Sequence, residues 1–174
     1  QLEPRICHGD LICMKLGVVV PRYPFGGAER QAMGLVECCA SKGGCDCLLV
    51  SLDGGASHNN VLDLGVDILV ASAEGRVLRL LKRGVATLRV FCRLRRLKFT
   101  HLVFYNHLFL PLLLLLKFFT RTKVVFSVRE NSSLCRRFWF VKIARICDGL
   151  YTNTPVVQDY YLARGVDCEL FLNS

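Results

Sequence analysis

The chain is 174 residues long and 52% hydrophobic, which is the size and composition of one domain with a substantial core. Its most apolar run, residues 108–119, contains Pro111 and Lys117 and is far shorter than the roughly 20 residues that cross a bilayer, so we expect no spanning helix. The 23 Lys and Arg against 14 Asp and Glu give a formal charge of +9, which favours acidic partners such as nucleic acid, anionic lipid or phosphorylated substrates.

Short apolar runs alternate with longer helical patterns along the chain. The predicted strands lie at 15–20, 46–52, 66–70, 101–105, 123–127, 149–152 and 169–172. The predicted helices lie at 28–42, 75–98, 108–119, 135–147 and 155–164, the second of them broken at Gly84. This alternation predicts an α/β fold with a doubly wound, parallel, Rossmann-like sheet that forms a single domain over residues 14–174. Residues 1–13 resemble neither a signal peptide nor a strand-helix unit, and they stay unassigned as upstream or added sequence.

The ten cysteines could be taken for a disulfide framework until their positions are considered. Cys38 and Cys39 are adjacent in a helical stretch, Cys45 and Cys47 alternate in a strand, and Cys92 and Cys147 lie in apolar helical runs. No C-x-x-C pair of the zinc-site or thioredoxin type occurs. In a domain with a full core, we interpret them as small buried hydrophobic residues in a reducing compartment.

Ligands of a doubly wound sheet bind in the crevice outside the carboxyl ends of its strands. The loops after the first, fourth, fifth and sixth predicted strands contain polar residues or glycine. These residues are Gly26 and Gly27, Asn106 and His107, Arg129 and Glu130, and Asn153, which Thr154 follows as a helix N-cap. The sequence therefore predicts a binding site that combines these loops.

The stretch "PFGGAER" places two glycines where the first strand gives way to a helix. Gly26 and Gly27 would let a ligand approach the backbone, and the free amides of the helix start favour an anion such as phosphate. Arg30 in the first turn opposes the helix dipole, and a bound anion would remove that conflict. The alternative is a flexible turn with Arg30 in solvent. The spacing matches neither G-x-G-x-x-G nor a P-loop.

Several segments in the same order resemble the nucleotide-sugar-dependent GT-B glycosyltransferases of family four. They are "GVVVPRYPFGGAERQAMGLVECCASKGGCDCLLVSLDGG", "LGVDILV", "VFYNHLFLPLL", "KVVFSVREN", "CDGLYTNTPVVQDYYLARGV" and "LFLNS". The resemblance covers residues 14–174 and implies the acceptor-side, N-terminal half of a retaining enzyme. In that family a second domain, with two glutamates in an E-x7-E pattern, holds most of the donor site. We therefore expect this chain to be inactive alone.

The resemblance also implies roles for individual residues. Gly26 and Gly27 match the glycine turn that lines the cleft between the two domains, near donor or acceptor phosphates. His107 matches the second histidine of an H-x-H-type segment, and we assign it a catalytic role together with Arg129. Several members have a histidine at the position of Arg129, whereas an arginine cannot act as a base and would stabilise phosphate or hydroxyl groups. The residues assigned to substrate binding are Gly26, Gly27, Arg30, Asn106, Glu130 and Asn153.

The resemblance implies no cofactor and no metal, because the nucleotide-sugar is a co-substrate and no Asp-x-Asp occurs in the chain. A lipid-linked or free sugar of a surface polysaccharide or glycolipid would be the acceptor. The alternative interpretation is a non-catalytic basic module that binds an anionic membrane or a partner subunit carrying the donor half.

The segment 75–99 carries nine Lys and Arg and no acid. Its apolar residues recur at helical spacing, which indicates amphipathic helices with a cationic face. Such a face is either solvated or docks on an anionic membrane leaflet near a lipid-linked acceptor. Nucleic acid is not expected, since no aromatic-interleaved platform accompanies the charge. We expect a cytoplasmic protein on the inner face of the cell membrane.

Overall fold

The computed structural model describes residues 14–22, 26–41, 45–53, 60–66, 76–105, 110–128 and 138–170. The strands of this part are β1 (Met14–Arg22), β2 (Cys45–Asp53), β3 (Val61–Asp63), β4 (His101–Phe104), β5 (Lys123–Val128), β6 (Gly149–Thr152) and β7 (Glu169–Leu170). The helices are α1 (Gly27–Ser41), α2 (Arg76–Leu97), α3 (Leu110–Phe119), α4 (Phe138–Ala144) and α5 (Pro155–Leu162).

The strands form one sheet in the order β3-β2-β1-β4-β5-β6-β7, and every pair is parallel. The order runs one way from β1 to β3 and the other way from β4 to β7, so its direction reverses between β1 and β4. This is the doubly wound Rossmann arrangement. The fold class predicted from the sequence is confirmed.

Each face of the sheet has its own hydrophobic cluster. On one face Ala32, Met33 and Val36 of α1 pack with Val18 and Val20 of β1. On the other face, helices α2 to α5 contribute to a larger cluster with the alternate residues of the strands. Val19, Val50, Leu113 and Phe104 in it are fully buried. Strands buried on both faces explain the high hydrophobic fraction of the sequence.

The prediction of the third strand was wrong in position. The strand is Val61–Asp63, and the described Val66 lies beyond its end; residues 67–70 lie outside the described part of the chain. The amide of Gly65 donates to Oδ1 of Asp63 at 2.7 Å, and this turn ends the strand. Val66 is buried, and its amide still donates to the carbonyl of Leu52 in β2 at 2.6 Å, so the chain stays beside β2 past the end of the strand. The other elements begin and end within three residues of their predicted bounds where they are described.

The predicted break at Gly84 does not occur, because α2 is continuous across it. A glycine inside a helix costs about 1 kcal/mol relative to alanine. The buried stripe of Ala86, Val90 and Leu94 follows at helical spacing and packs in the larger cluster. Burial of this stripe outweighs the local preference of one exposed glycine.

The cysteines are only in part the buried residues that we expected. No disulfide joins the cysteines of the described part, but Cys38 and Cys92 are exposed because they lie on outward positions of α1 and α2. Cys47 and Cys168 are buried, and burial is the main cause that raises their pKa values to about 12 and about 11. These two thiols stay protonated and unreactive at neutral pH.

Candidate active site at the carboxyl edge of the sheet

The reversal of strand order places the candidate site between the carboxyl ends of β1 and β4. Val18 pairs with Val103 and Val19 pairs with Phe104, where β4 ends, while β1 runs on to Arg22. In open parallel sheets the crevice at this point is where ligands bind, because the connections on its two sides lead to opposite faces. The start of α1 at Gly27 and the end of β4 at Phe104 therefore lie at the same edge of the sheet.

The glycine turn holds one residue in a backbone conformation that only glycine adopts readily. Gly26 has a φ of +94°, and α1 begins at the next residue. The carbonyl of Gly26 accepts the amide of Arg30 and also its Nε, both at 3.4 Å. The Arg30 side chain thus folds back onto its own turn. The carbonyl of Gly26 offsets the unfavourable interaction of this cation with the helix dipole. The position of Arg30 therefore gives no support for a bound anion.

The two glycines differ in what a side chain would meet. A Cβ on Gly26 would lie 3.1 Å from Oε2 of Glu29, whereas a Cβ on Gly27 would meet no described heavy atom within 4 Å. The described part of the chain therefore supplies no crowding at Gly27. Gly26 is required by its backbone conformation, and Gly27 leaves open space in front of the first turn of α1.

Asn153 lies at the carboxyl end of β6 but apart from the glycine turn. Two strands separate β6 from β1, which puts their ends about 14 Å apart at the usual strand spacing. Oδ1 of Asn153 accepts the hydroxyl of Thr154 at 3.2 Å. Thr154 is the N-cap of α5, as predicted, although its side chain makes no capping bond. Only an extended ligand would contact both Asn153 and the glycine turn.

The remaining candidates, Asn106, His107, Arg129 and Glu130, lie outside the described residues. The strands that precede them are described, and Phe104 of β4 pairs with Phe126 of β5. Their sequence positions directly follow two adjacent strands on the β4 side of the crevice. Their roles stay predictions.

A pair of tyrosines near this edge was not singled out from the sequence. The rings of Tyr105 and Tyr151 meet edge to face with centroids 6.1 Å apart. Tyr105 directly follows β4, Tyr151 belongs to β6, and both lie on the α1 face of the sheet. Ser127 of the intervening β5 pairs with Tyr151, and its small side chain leaves room for the rings to meet above it. Period-two alternation could have indicated the shared face, but not the contact across a strand.

Several described groups at this edge are suited to hydrogen bonding. They are backbone amides at the start of α1, a carboxamide and hydroxyls. Within the described ranges, no group of three or more His, Cys, Asp or Glu is placed to hold a metal ion. The described helices also include none that is both long and apolar enough to cross a membrane.

The fold and the position of the crevice define a Rossmann-like α/β domain with a ligand edge at the switch between β1 and β4. Two solved glycosyltransferases share this fold. MurG from Acinetobacter baumannii matches 82% of the chain with a TM-score of 0.61 and 14% identity. An alpha-glucosyltransferase, solved with UDP and a 13-mer DNA containing a HMU base, matches 91% of the chain with a TM-score of 0.51 and 14% identity.

The chain spans 42% of the length of each of these two proteins. No protein-family model matches the sequence, and no curated protein does either. At this identity the likeness is one of fold. The chain thus has the fold of a glycosyltransferase-like domain, in agreement with the GT-B-type fold that the resemblance of the sequence implies.

Proposed function

We propose that the chain is the acceptor-side, N-terminal domain of a retaining, nucleotide-sugar-dependent glycosyltransferase of family four. Its product would be a surface polysaccharide or a glycolipid. The observation that carries the proposal is the open first turn of α1 behind Gly26, at the switch point of a fold shared with two glycosyltransferases. The UDP bound to one of them supports a nucleotide-sugar donor.

The reaction exchanges the bond between the sugar and the nucleotide diphosphate for a bond to an acceptor hydroxyl. Negative charge develops on the departing diphosphate, so donors aimed at that charge accelerate the reaction. The first amides of α1 and the guanidinium of Arg129 would bind phosphate oxygens, and His107 would contact the reacting hydroxyl. A second domain would supply most of the donor site.

A transfer assay on the protein that carries this chain together with a donor domain tests the proposal. Nucleotide release from a panel of nucleotide-sugars is measured with lipid-linked and free sugar acceptors. We expect acceptor-dependent release, and we expect His107→Ala and Arg129→Ala to lower its rate at least tenfold because both contact reacting groups. Residues 14–174 alone should release nothing above background.

The comparison variant is Arg164→Ala, which removes a cation that lies after α5. The Cζ atom of Arg164 lies 3.6 Å from the centroid of the Tyr160 ring. This variant should keep the wild-type rate. Full activity in both site variants would contradict the assigned roles. Robust transfer by residues 14–174 alone would contradict the need for a second domain.

A second proposal, contact with an anionic membrane surface, is supported by an apolar stripe on the outside of α2. Leu81, Val85 and Leu88 recur at helical spacing and are 62%, 51% and 54% exposed. Exposed cations, including Lys82 and Arg89, lie on the same helix beside the stripe. The segment is therefore more than the cationic face that we expected, since apolar residues occupy the middle of its exposed side. This is the pattern of a helix that lies in a membrane interface.

Vesicle co-sedimentation tests the membrane proposal with a matched pair of double variants. Leu81→Ser/Leu88→Ser removes two leucines of the apolar stripe and should weaken binding to anionic vesicles about thirtyfold, because each partly buried leucine contributes roughly 1 kcal/mol. Val156→Ser/Leu162→Ser changes two residues of α5 that are 53% and 47% exposed and should have little effect. Equal binding by both variants would rule out the stripe.

A further inference from the structure

A second, strongly basic pocket lies at the amino edge of the sheet, opposite the candidate active site. Its volume is about 470 Å³. Its walls come from the end of α2, the start of β4, the end of α3 and the start of β5. The residues that matter to its chemistry are Arg95, Lys98, Phe119, Arg121 and Lys123.

The hydroxyl groups of the pocket wall are committed to the backbone. The hydroxyl of Thr100 accepts the amide of Lys15 and donates to its carbonyl, both at 3.0 Å. Thr122 donates to the carbonyl of Phe99 at 2.9 Å, and Thr120 donates to that of Leu116 at 2.6 Å. These bonds tie the two connections into β4 and β5 to their neighbours. The wall is thus held in place without a ligand.

The cations of the pocket are not held in the same way. Arg95, Lys98, Arg121 and Lys123 are all exposed, and none of them has a carboxylate within 4 Å in the described part of the chain. Two acids of this edge are already paired with other lysines. Asp46 pairs with Lys15 at 3.6 Å, and Asp148 pairs with Lys117 at 2.5 Å while also sensing the charge of Lys123.

Helix ends explain only part of this charge. α2 and α3 both end at the amino edge, and each carboxyl end of a helix carries about half a negative charge. Two ends together call for about one positive charge. The four cations exceed that by about three charges, so most of the positive charge at the pocket has no counterpart in the described chain.

The backbone of Lys98 is strained. It follows the last residue of α2 with a φ of +53°, and it is the one non-glycine residue at positive φ in the described ranges. Glycine takes this place in most helices that end in a left-handed turn, because lysine crowds its own carbonyl there. The pocket thus has a charged side chain at a position where glycine would fit the backbone better.

We propose that this amino-edge pocket binds a phosphate monoester or diphosphate group. A group of two or more negative charges matches the surplus of the four cations, as a single carboxylate would not. Phe119 at the rim is 66% exposed, and its ring meets that of Phe91 edge to face with centroids 6.3 Å apart. The exposed ring of Phe119 offers an apolar surface to the organic part of the ligand. The phosphate is carried either by a lipid headgroup or by a free metabolite. This site is separate from the carboxyl edge and does not depend on the proposed transferase activity.

Calorimetric titration with inorganic pyrophosphate tests the pocket. The variant Lys98→Gly/Arg121→Gln removes two of its charges, and the glycine relieves the strained backbone, so the fold should be kept. We expect its affinity to fall roughly tenfold, at about threefold per charge. Arg83→Gln/Arg89→Gln loses the same charge from exposed positions of α2 outside the pocket and should stay within about twofold of wild type. Equal weakening in both variants, or no saturable binding to the wild type, would overturn the proposal.

Vesicles then distinguish the two sources of phosphate. Phosphatidic acid carries a phosphate monoester and phosphatidylglycerol a diester, and the two kinds of vesicle are compared at equal surface charge. If a headgroup is the ligand, the wild type prefers phosphatidic acid, the pocket variant loses the preference and pyrophosphate releases the bound protein. If a free metabolite is the ligand, pyrophosphate binds while the vesicle preference is absent in both proteins. Either result supports the phosphate site.

Discussion

The two edges of the sheet bind anions, in our proposals, by opposite means. In a parallel α/β sheet helices begin at the carboxyl edge and end at the amino edge. At the carboxyl edge the amides of α1 point outward behind Gly26, and an anion needs only room to approach. At the amino edge the ends of α2 and α3 repel an anion, and side chains such as Lys98 and Arg121 must supply the attraction. The fold thus predicts glycine at one edge and lysine or arginine at the other.

The largest effect that would sharpen this comparison is the loss of stability in Gly26→Ala. The φ of +94° and the approach of the Glu29 carboxylate to 3.1 Å both penalise a side chain there. We expect a loss of about 1–2 kcal/mol and a melting temperature lower by roughly 3–6 °C in a domain of this size. Thermal unfolding measures it. An unchanged melting temperature would mean that the turn has another conformation.

A smaller effect is expected from Asp148→Asn at the amino edge. Burial tends to raise the pKa of Asp148, but hydrogen bonds from Lys117 and from the amide of Val124, together with the charges of Lys117 and Lys123, lower it below 3.8 overall. A carboxyl with a lowered pKa stabilises the fold above its unfolded pKa, and this contribution is lost as the pH falls through the folded pKa.

The variant should therefore lose about 1 kcal/mol of unfolding free energy at pH 7, and the difference from wild type should shrink towards pH 2. Denaturant unfolding at the two pH values measures both quantities. A difference that is the same at pH 2 and pH 7 would show that the charge of Asp148 contributes nothing to stability.

The fold could be predicted from the sequence because each strand is a short apolar run between helical patterns. The errors arose where one signal has two causes. Val66 looked like part of a strand because burial and pairing both select apolar residues. Gly84 looked like a helix break because the sequence alone does not show that Ala86 and Val90 are buried. The burial of these residues stabilises the helix by more than the glycine destabilises it.

The sites were harder to predict, since they depend on residues that are distant in sequence or on backbone angles. Nothing in "GG" indicates that Gly26 takes the positive φ and that Gly27 is the open position. The outward stripe of Leu81 and Leu88 was hidden, because α2 has a second apolar stripe that faces the core. The amino-edge pocket joins Lys98 to Arg121, and only the sheet brings these two residues together.

The most direct test of the account compares Gly27→Ala with Gly34→Ala in the two-domain protein. Both glycines are exposed on α1, and a Cβ on either would meet nothing within 4 Å. Alanine is the better helix former by up to about 1 kcal/mol, so both variants should melt at or above the wild-type temperature. We predict that Gly27→Ala alone lowers kcat/KM for sugar transfer, about tenfold or more, because only its methyl group would meet a bound ligand. Wild-type kcat/KM in both variants would contradict the claim that the carboxyl-edge turn contacts substrate.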